Sequence, residues 1–207
     1  MVTSRWEAAP ARAAAPRRRG AVLERAILEA ALEQLCTVGW RGLTMEGVAA
    51  GARTGKAAVY RRWPSREDLV EDALRAGFSP VEEAPDLGAV REDLLALCRR
   101  VRGAMFSRPG TALRAVIHEC DPDQEERLHG VIYSAVVEPT VRLLREVITR
   151  GIERGEVRPD AVDDYVLDVV PAMMMYRSKM CTSEWTDAEL QEMIDRVMVP
   201  LLRPAGP

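Results

Sequence analysis

Cysteine is scarce in these 207 residues, and Cys36, Cys98, Cys120 and Cys181 stand far apart with no CxxC pair and no histidine at metal-ligand spacing. That pattern excludes a disulfide scaffold and a zinc site; isolated buried thiols in a reducing compartment are expected, with no metal and no cofactor. No GxSxG, P-loop, dinucleotide fingerprint or HExxH motif occurs, so no enzyme is expected. The N-terminus lacks a continuous apolar segment before a cleavage site. The longest apolar run, Tyr165 to Tyr176, is interrupted by Asp168 and falls short of the roughly 20 residues that a membrane span needs. A cytoplasmic protein with no membrane partner follows. Strand alternation and internal repeats are also missing, which leaves an all-α chain.

What is present divides unevenly. Hydrophobic residues at 47% and charged residues at 29% describe an ordinary globular protein. The net charge of −3 conceals a polarity: residues 1–66 carry 12 Lys and Arg against 5 Asp and Glu, and the remainder 17 against 27. A basic first third on an acidic remainder points to a polyanion partner for the first part only.

Residues 1–20, rich in Ala, Pro and Arg, read as a disordered basic arm. From Ala21, the residues Leu23, Ile27, Ala30, Ala31, Leu35 and Val38 recur at helical spacing, with Gly39 as a stop. After "GWRGL", Thr44 stands as an N-cap for a short helix from Met45 to Ala52. "GKAAVYRRW" reads as a third helix that Pro64 prevents from continuing, and Ser65 in "SRED" caps a fourth that closes by Gly77. "SPVEEAPDLG", 79–88, is the domain connector, so residues 21–77 form one unit and residues 88–204 a second. In the second, Val90 to Met105, Leu113 to Ile117, a long helix bent at Pro139, Val162 to Met180 and Asp187 to Leu202 bring the total to about nine helices. The inner face of the long helix is expected to include Ile132, Tyr133, Val136, Val141, Leu144 and Ile148.

Two short helices joined by a tight turn, the second bearing small residues, an aromatic and arginines, form a helix-turn-helix. Ala57 and Ala58 let the backbone approach base edges, Tyr60 can reach a phosphate through its hydroxyl, and Lys56, Arg61, Arg62 and Arg66 supply positive charge. Val48, Val59 and Trp63 read as core that sets the angle between the helices.

On these residues the segment "LTMEGVAAGARTGKAAVYRRWPSREDLV", 43–70, resembles the DNA-binding segment of the tetracycline-repressor (TetR) family of bacterial transcription regulators. The resemblance implies a homodimer on a double-stranded, palindromic operator and a C-terminal domain in which a small-molecule effector alters the spacing of the two DNA-reading heads. By position it implies phosphate contacts for Thr44 and Tyr60, a groove or phosphate contact for Arg62, a backbone contact for Arg66, and Ala57 and Ala58 facing the bases. The family usually places glycine and an apolar residue in the turn where this chain has Arg53 and Thr54, so either the turn is strained or Gly51 ends the second helix early.

In the second unit, Leu190, Ile194, Val197, Met198 and Leu201 form a stripe suited to a partner helix across a dimer. Met105, Phe106, His118, Tyr133, Met173, Met174 and Tyr176 are candidates for an apolar ligand cavity, against plain core packing as the alternative. The function expected is a repressor released from its operator by a small apolar or amphipathic ligand; the alternative is a DNA-binding protein of the same fold controlled by a protein partner or by no ligand.

Overall fold

A computed structural model describes residues 20–78, 83–119, 130–181 and 183–204, and among these every regular element is helical. Helix α1 spans Ala21–Gly42, α2 Met45–Gly51, α3 Lys56–Tyr60 and α4 Arg66–Gly77. Then follow α5 Val90–Met105, α6 Arg108–Glu119, α7 Glu138–Glu153 and α8 Asp164–Met180. Helix α9 begins as Asp187–Met193 and ends as Val199–Leu202. The basic arm and the stretch around Cys120 lie outside the described residues.

Local chemistry explains most boundaries. Thr44, Ser65, Asp163 and Thr186 each accept, through a side-chain oxygen, a backbone N–H of the helix they precede. Gly39 takes φ 72°, so α1 kinks there and Val38 is turned outward rather than into the core. Two π turns, Tyr133–Val137 ahead of α7 and Ile194–Met198 within α9, each end two residues before a proline, Pro139 and Pro200. A proline cannot donate to the carbonyl four residues back and its ring crowds that oxygen; the wider π turn accommodates both problems. The added residue rotates the register, which is why Tyr133, expected on the inner face, is exposed while Val131 is fully buried.

Two apolar clusters form. One unites α1 to α4, through Ile27, Leu35, Val48, Val59, Leu69 and Leu74, with Ala112, Leu113 and Val116 of α6 and with Val131. The other unites α5, α7, α8 and α9 around Leu94, Leu144, Leu167, Trp185 and Ile194. The connector therefore divides the chain but not the packing, because α6 completes the core of the N-terminal unit. The end of the connector at Leu87 and the start of α5 are strapped to the C-terminal unit. Buried Asp93 accepts the Leu87 N–H at 2.5 Å and an Arg154 N–H at 3.1 Å, and Glu156 accepts the Val90 N–H at 2.8 Å. Of the thiols among the described residues, only Cys98 is buried, and desolvation pushes it up to about 12; Cys36 and Cys181 are exposed, contrary to the expectation of buried cysteines.

The turn between α2 and α3 resolves the question raised by Arg53. Arg53 holds φ 55°, the left-handed region. Its N–H donates to the Ala50 carbonyl at 3.0 Å and the Thr54 N–H donates to Ala49 at 2.9 Å, the paired bonds of a Schellman ending. A side chain here costs about 1 kcal/mol relative to glycine, partly offset by the flexibility glycine adds to the unfolded chain. Arg53→Gly should therefore raise the thermal midpoint by about 2 °C; an unchanged or lowered midpoint in calorimetry would show that the turn is unstrained.

Candidate DNA-binding surface

The five residues of α3 are too few to be helical alone, so the surrounding fold must hold them. Val59 is fully buried and Trp63 nearly so, its indole N–H donating to an Asp72 carboxylate oxygen on α4 at 2.8 Å. At the other end, the Gln34 side chain of α1 accepts the Thr44 N–H at 3.2 Å. Gly47 leaves room for this bridge, since a Cβ would stand 2.0 Å from the Gln34 amide nitrogen and would push that side chain aside. Helices α3 and α2 are thus fixed to α4 and α1 from behind.

On the open side lie Thr44, Lys56, Ala57, Tyr60 and Arg61, all exposed. The Thr44 hydroxyl oxygen accepts the Gly47 N–H at 3.0 Å, leaving its own hydrogen to donate outward. Lys56 pairs with Glu46 of α2, and its ammonium lies 5.3 Å from the centre of the Tyr60 ring. That hydrogen bond holds the Glu46 carboxyl below its usual range and raises Lys56, so both are ionised at neutral pH.

Three expected contacts point elsewhere. Ala58 is half-buried against the core, because consecutive helical residues stand about 100° apart and only Ala57 occupies the crest. Arg62 is half-buried and donates to the Ala58 carbonyl at 3.1 Å, closing the end of α3. Arg66 donates to the Trp40 carbonyl at 3.2 Å and stacks on the Trp40 ring at 4.1 Å, which braces α4 against the end of α1. The Glu46–Lys56 pair and the Gln34 bridge went unread in the sequence; each joins different helices, where no short-range spacing signals a contact.

The unit formed by α1 to α4 is clamped to α6. The Arg41 N–H donates to a Glu119 carboxylate oxygen at 2.9 Å, and a Cβ at Gly39 would stand 2.5 Å from the other oxygen. Arg108, at the start of the same helix, pairs with Glu33.

A model of bacterial regulatory proteins of the tetR family matches residues 27–73, and one of the tetracyclin repressor-like C-terminal domain matches residues 84–197. The chain belongs to the TetR family of bacterial transcription regulators. An HTH-type transcriptional regulator of Mycobacterium tuberculosis is 32% identical over 86% of this chain and 87% of its own length. The DNA-binding transcriptional repressor TetR of Mycobacteroides abscessus is 29% identical over 91% of this chain and 98% of its own. The crystal structure of the TetR family transcription regulator SCO0332, 26% identical, superposes with a TM-score of 0.59 over 88% of this chain and 99% of that one. The protein is accordingly a DNA-binding transcriptional regulator and not an enzyme, and no helix among its described residues is long and apolar enough to cross a membrane.

The residues expected around a ligand in this TetR-family protein do not converge. Met174 is fully buried in core, Tyr133 and Tyr176 are exposed, and Met105 and Phe106 are half-buried at the end of α5, with the Phe106 ring under the Arg114 guanidinium at 4.9 Å. Met173 lines an open groove of about 270 Å³ with Arg177, Trp185 and Glu189 between α8 and α9. The His118 side chain lies outside the described residues. A separate apolar cleft of about 40 Å³ opens between α5 and α7, lined by Leu97, Val101, Ala135, Pro139 and Leu143.

The expected dimer stripe is also corrected. Leu190, Ile194 and Met198 are fully buried against α5 and α8 of their own chain, Val197 is half-buried, and of the five Leu201 alone is exposed. The stripe found its partner within the protomer. Exposed apolar surface lies instead on α8, where Tyr165 is 88%, Tyr176 62% and Met180 66% exposed.

Because Arg66 stacks inward, Arg66→Ala should lower the thermal midpoint by several degrees while leaving the salt dependence of DNA affinity unchanged. A slope reduced by about one would make it a phosphate contact instead.

Proposed function

We propose that this regulator represses transcription as a homodimer on a palindromic operator, each α3 entering a major groove with successive half-sites about 34–36 Å apart. The observation that carries the reading is the exposed row of Thr44, Lys56, Ala57, Tyr60 and Arg61 on a short helix held rigidly from behind by Val59 and Trp63. Lys56 and Arg61 supply charge, Thr44 and Tyr60 hydroxyls for phosphates, and Ala57 the close approach to base edges. Because a bacterial operator lies in the cytoplasm, the protein works there. Tyr165, Ala172, Tyr176 and Met180, on one exposed face of α8, supply the twofold contact.

Control by a small apolar or amphipathic effector would act at the cleft between α5 and α7, which must widen to admit it. Its apolar lining and the π turn beside it supply a place where two helices can part. The effector would separate α5 from α7 and, through α6, tilt α1. A second reading, in which no ligand acts, is favoured by the size of that cleft: about 40 Å³ admits only a few waters, against roughly 300 Å³ or more for a drug-sized ligand. Release of operator DNA by members of an amphipathic compound panel separates the two.

The operator reading is tested by footprinting on the DNA upstream of the protein's own gene, followed by affinity measurements across a salt series. Tyr60→Phe should weaken operator binding about tenfold, and Arg61→Ala should flatten the plot of log affinity against log salt by about one. Wild-type affinity and slope in both variants would refute the assignment of α3.

A further inference from the structure

Between Arg41 and Arg66 the chain carries six Lys or Arg and a single carboxylate, Glu46. An anion on a surface that meets phosphates weakens sequence-independent binding, so its position merits a physical account. Glu46 is exposed, as is Lys56, and the two side chains form an ion pair that bridges α2 and α3 across the open face. The same ammonium sits over the Tyr60 ring at 5.3 Å. Thus Lys56 is placed by two neighbours, and the carboxylate is placed beside it.

An adjacent cation and anion match a particular base-pair edge. In the major groove a G·C pair presents two acceptors, guanine N7 and O6, next to one donor, the cytosine N4 amino group. Lysine donates to the guanine pair of acceptors, and glutamate accepts from cytosine N4. Resting on the reading of α2 and α3 as the operator-binding surface, we infer that the Glu46–Lys56 pair reads one G·C base pair in each half-site. The carboxylate has a second effect: where no base amino group meets it, it faces groove acceptors and nearby phosphates and is repelled. The pair therefore raises discrimination both by attracting the right base pair and by penalising the wrong one.

The test is selection of binding sites from a duplex DNA library with randomised positions, performed with the full-length wild type, E46Q and E46A, alongside affinity for unrelated duplex DNA. The wild type should prefer G·C about tenfold at one position of each half-site. E46A should lose that preference, keep the others and bind unrelated DNA more tightly. E46Q should shift the same position toward A·T, because the amide matches adenine N6 and N7. A role confined to stabilising α2 would alter thermal stability and leave base preferences alone. Identical base preferences in the three proteins would overturn the inference while leaving operator binding by α3 intact. Failure of the wild type to enrich any sequence would overturn the operator reading as well.

Discussion

The apolar seam between α1 and α6 is the constraint on which the rest of this structure depends. Ala112, Leu113 and Val116 come from beyond the connector, yet they close the core that Ile27, Leu35 and Leu74 begin. Burial of the leucine, isoleucine and valine side chains contributes roughly 1.5–3 kcal/mol each, more than the surface ion pairs on the same seam. The DNA-reading unit therefore cannot be moved independently of α6. Glu119 strengthens this at the far end by holding the backbone of α1 at Arg41. Three residues later Thr44 caps α2, so a rotation of α6 reaches the DNA-binding surface through very little intervening chain.

The surface itself is short and borrowed. Five residues of α3 keep their shape because Val59 and Trp63 are buried and because the Schellman turn sets their direction. Arginine in the left-handed position of that turn adds strain where a glycine would not, while placing another exposed cation beside α3. Opposite it, Arg66 and Arg62 spend their charge on carbonyl oxygens and on the Trp40 ring. A cluster of arginines in sequence is thus divided by the fold into those that hold the helix and those that present charge.

Much of this was legible beforehand. The caps at Thr44 and Ser65, the burial of Val59 and Trp63, and the anomaly at Arg53 and Thr54 all rest on interactions within a few residues, which spacing reveals. The division between Ala57 and Ala58 was not, since it needed the rotation of α3 about its axis. Nor was the burial of Leu190, Ile194 and Met198: an amphipathic stripe states that a helix must be covered, not by what. Tyr133 misled because the π turn before Pro139 added a residue to the helical register.

By itself, the sequence determined the helical class, the helix-turn-helix and its place in the chain, because periodicity, caps and breakers act over one or two turns. Tertiary structure alone decided that α6 belongs to the core of the DNA-binding unit, that α9 turns its apolar face inward, and that Glu46 meets Lys56. Each of those joins residues distant in sequence. Such contacts follow from how packed helices cross, and no local pattern of residues encodes that.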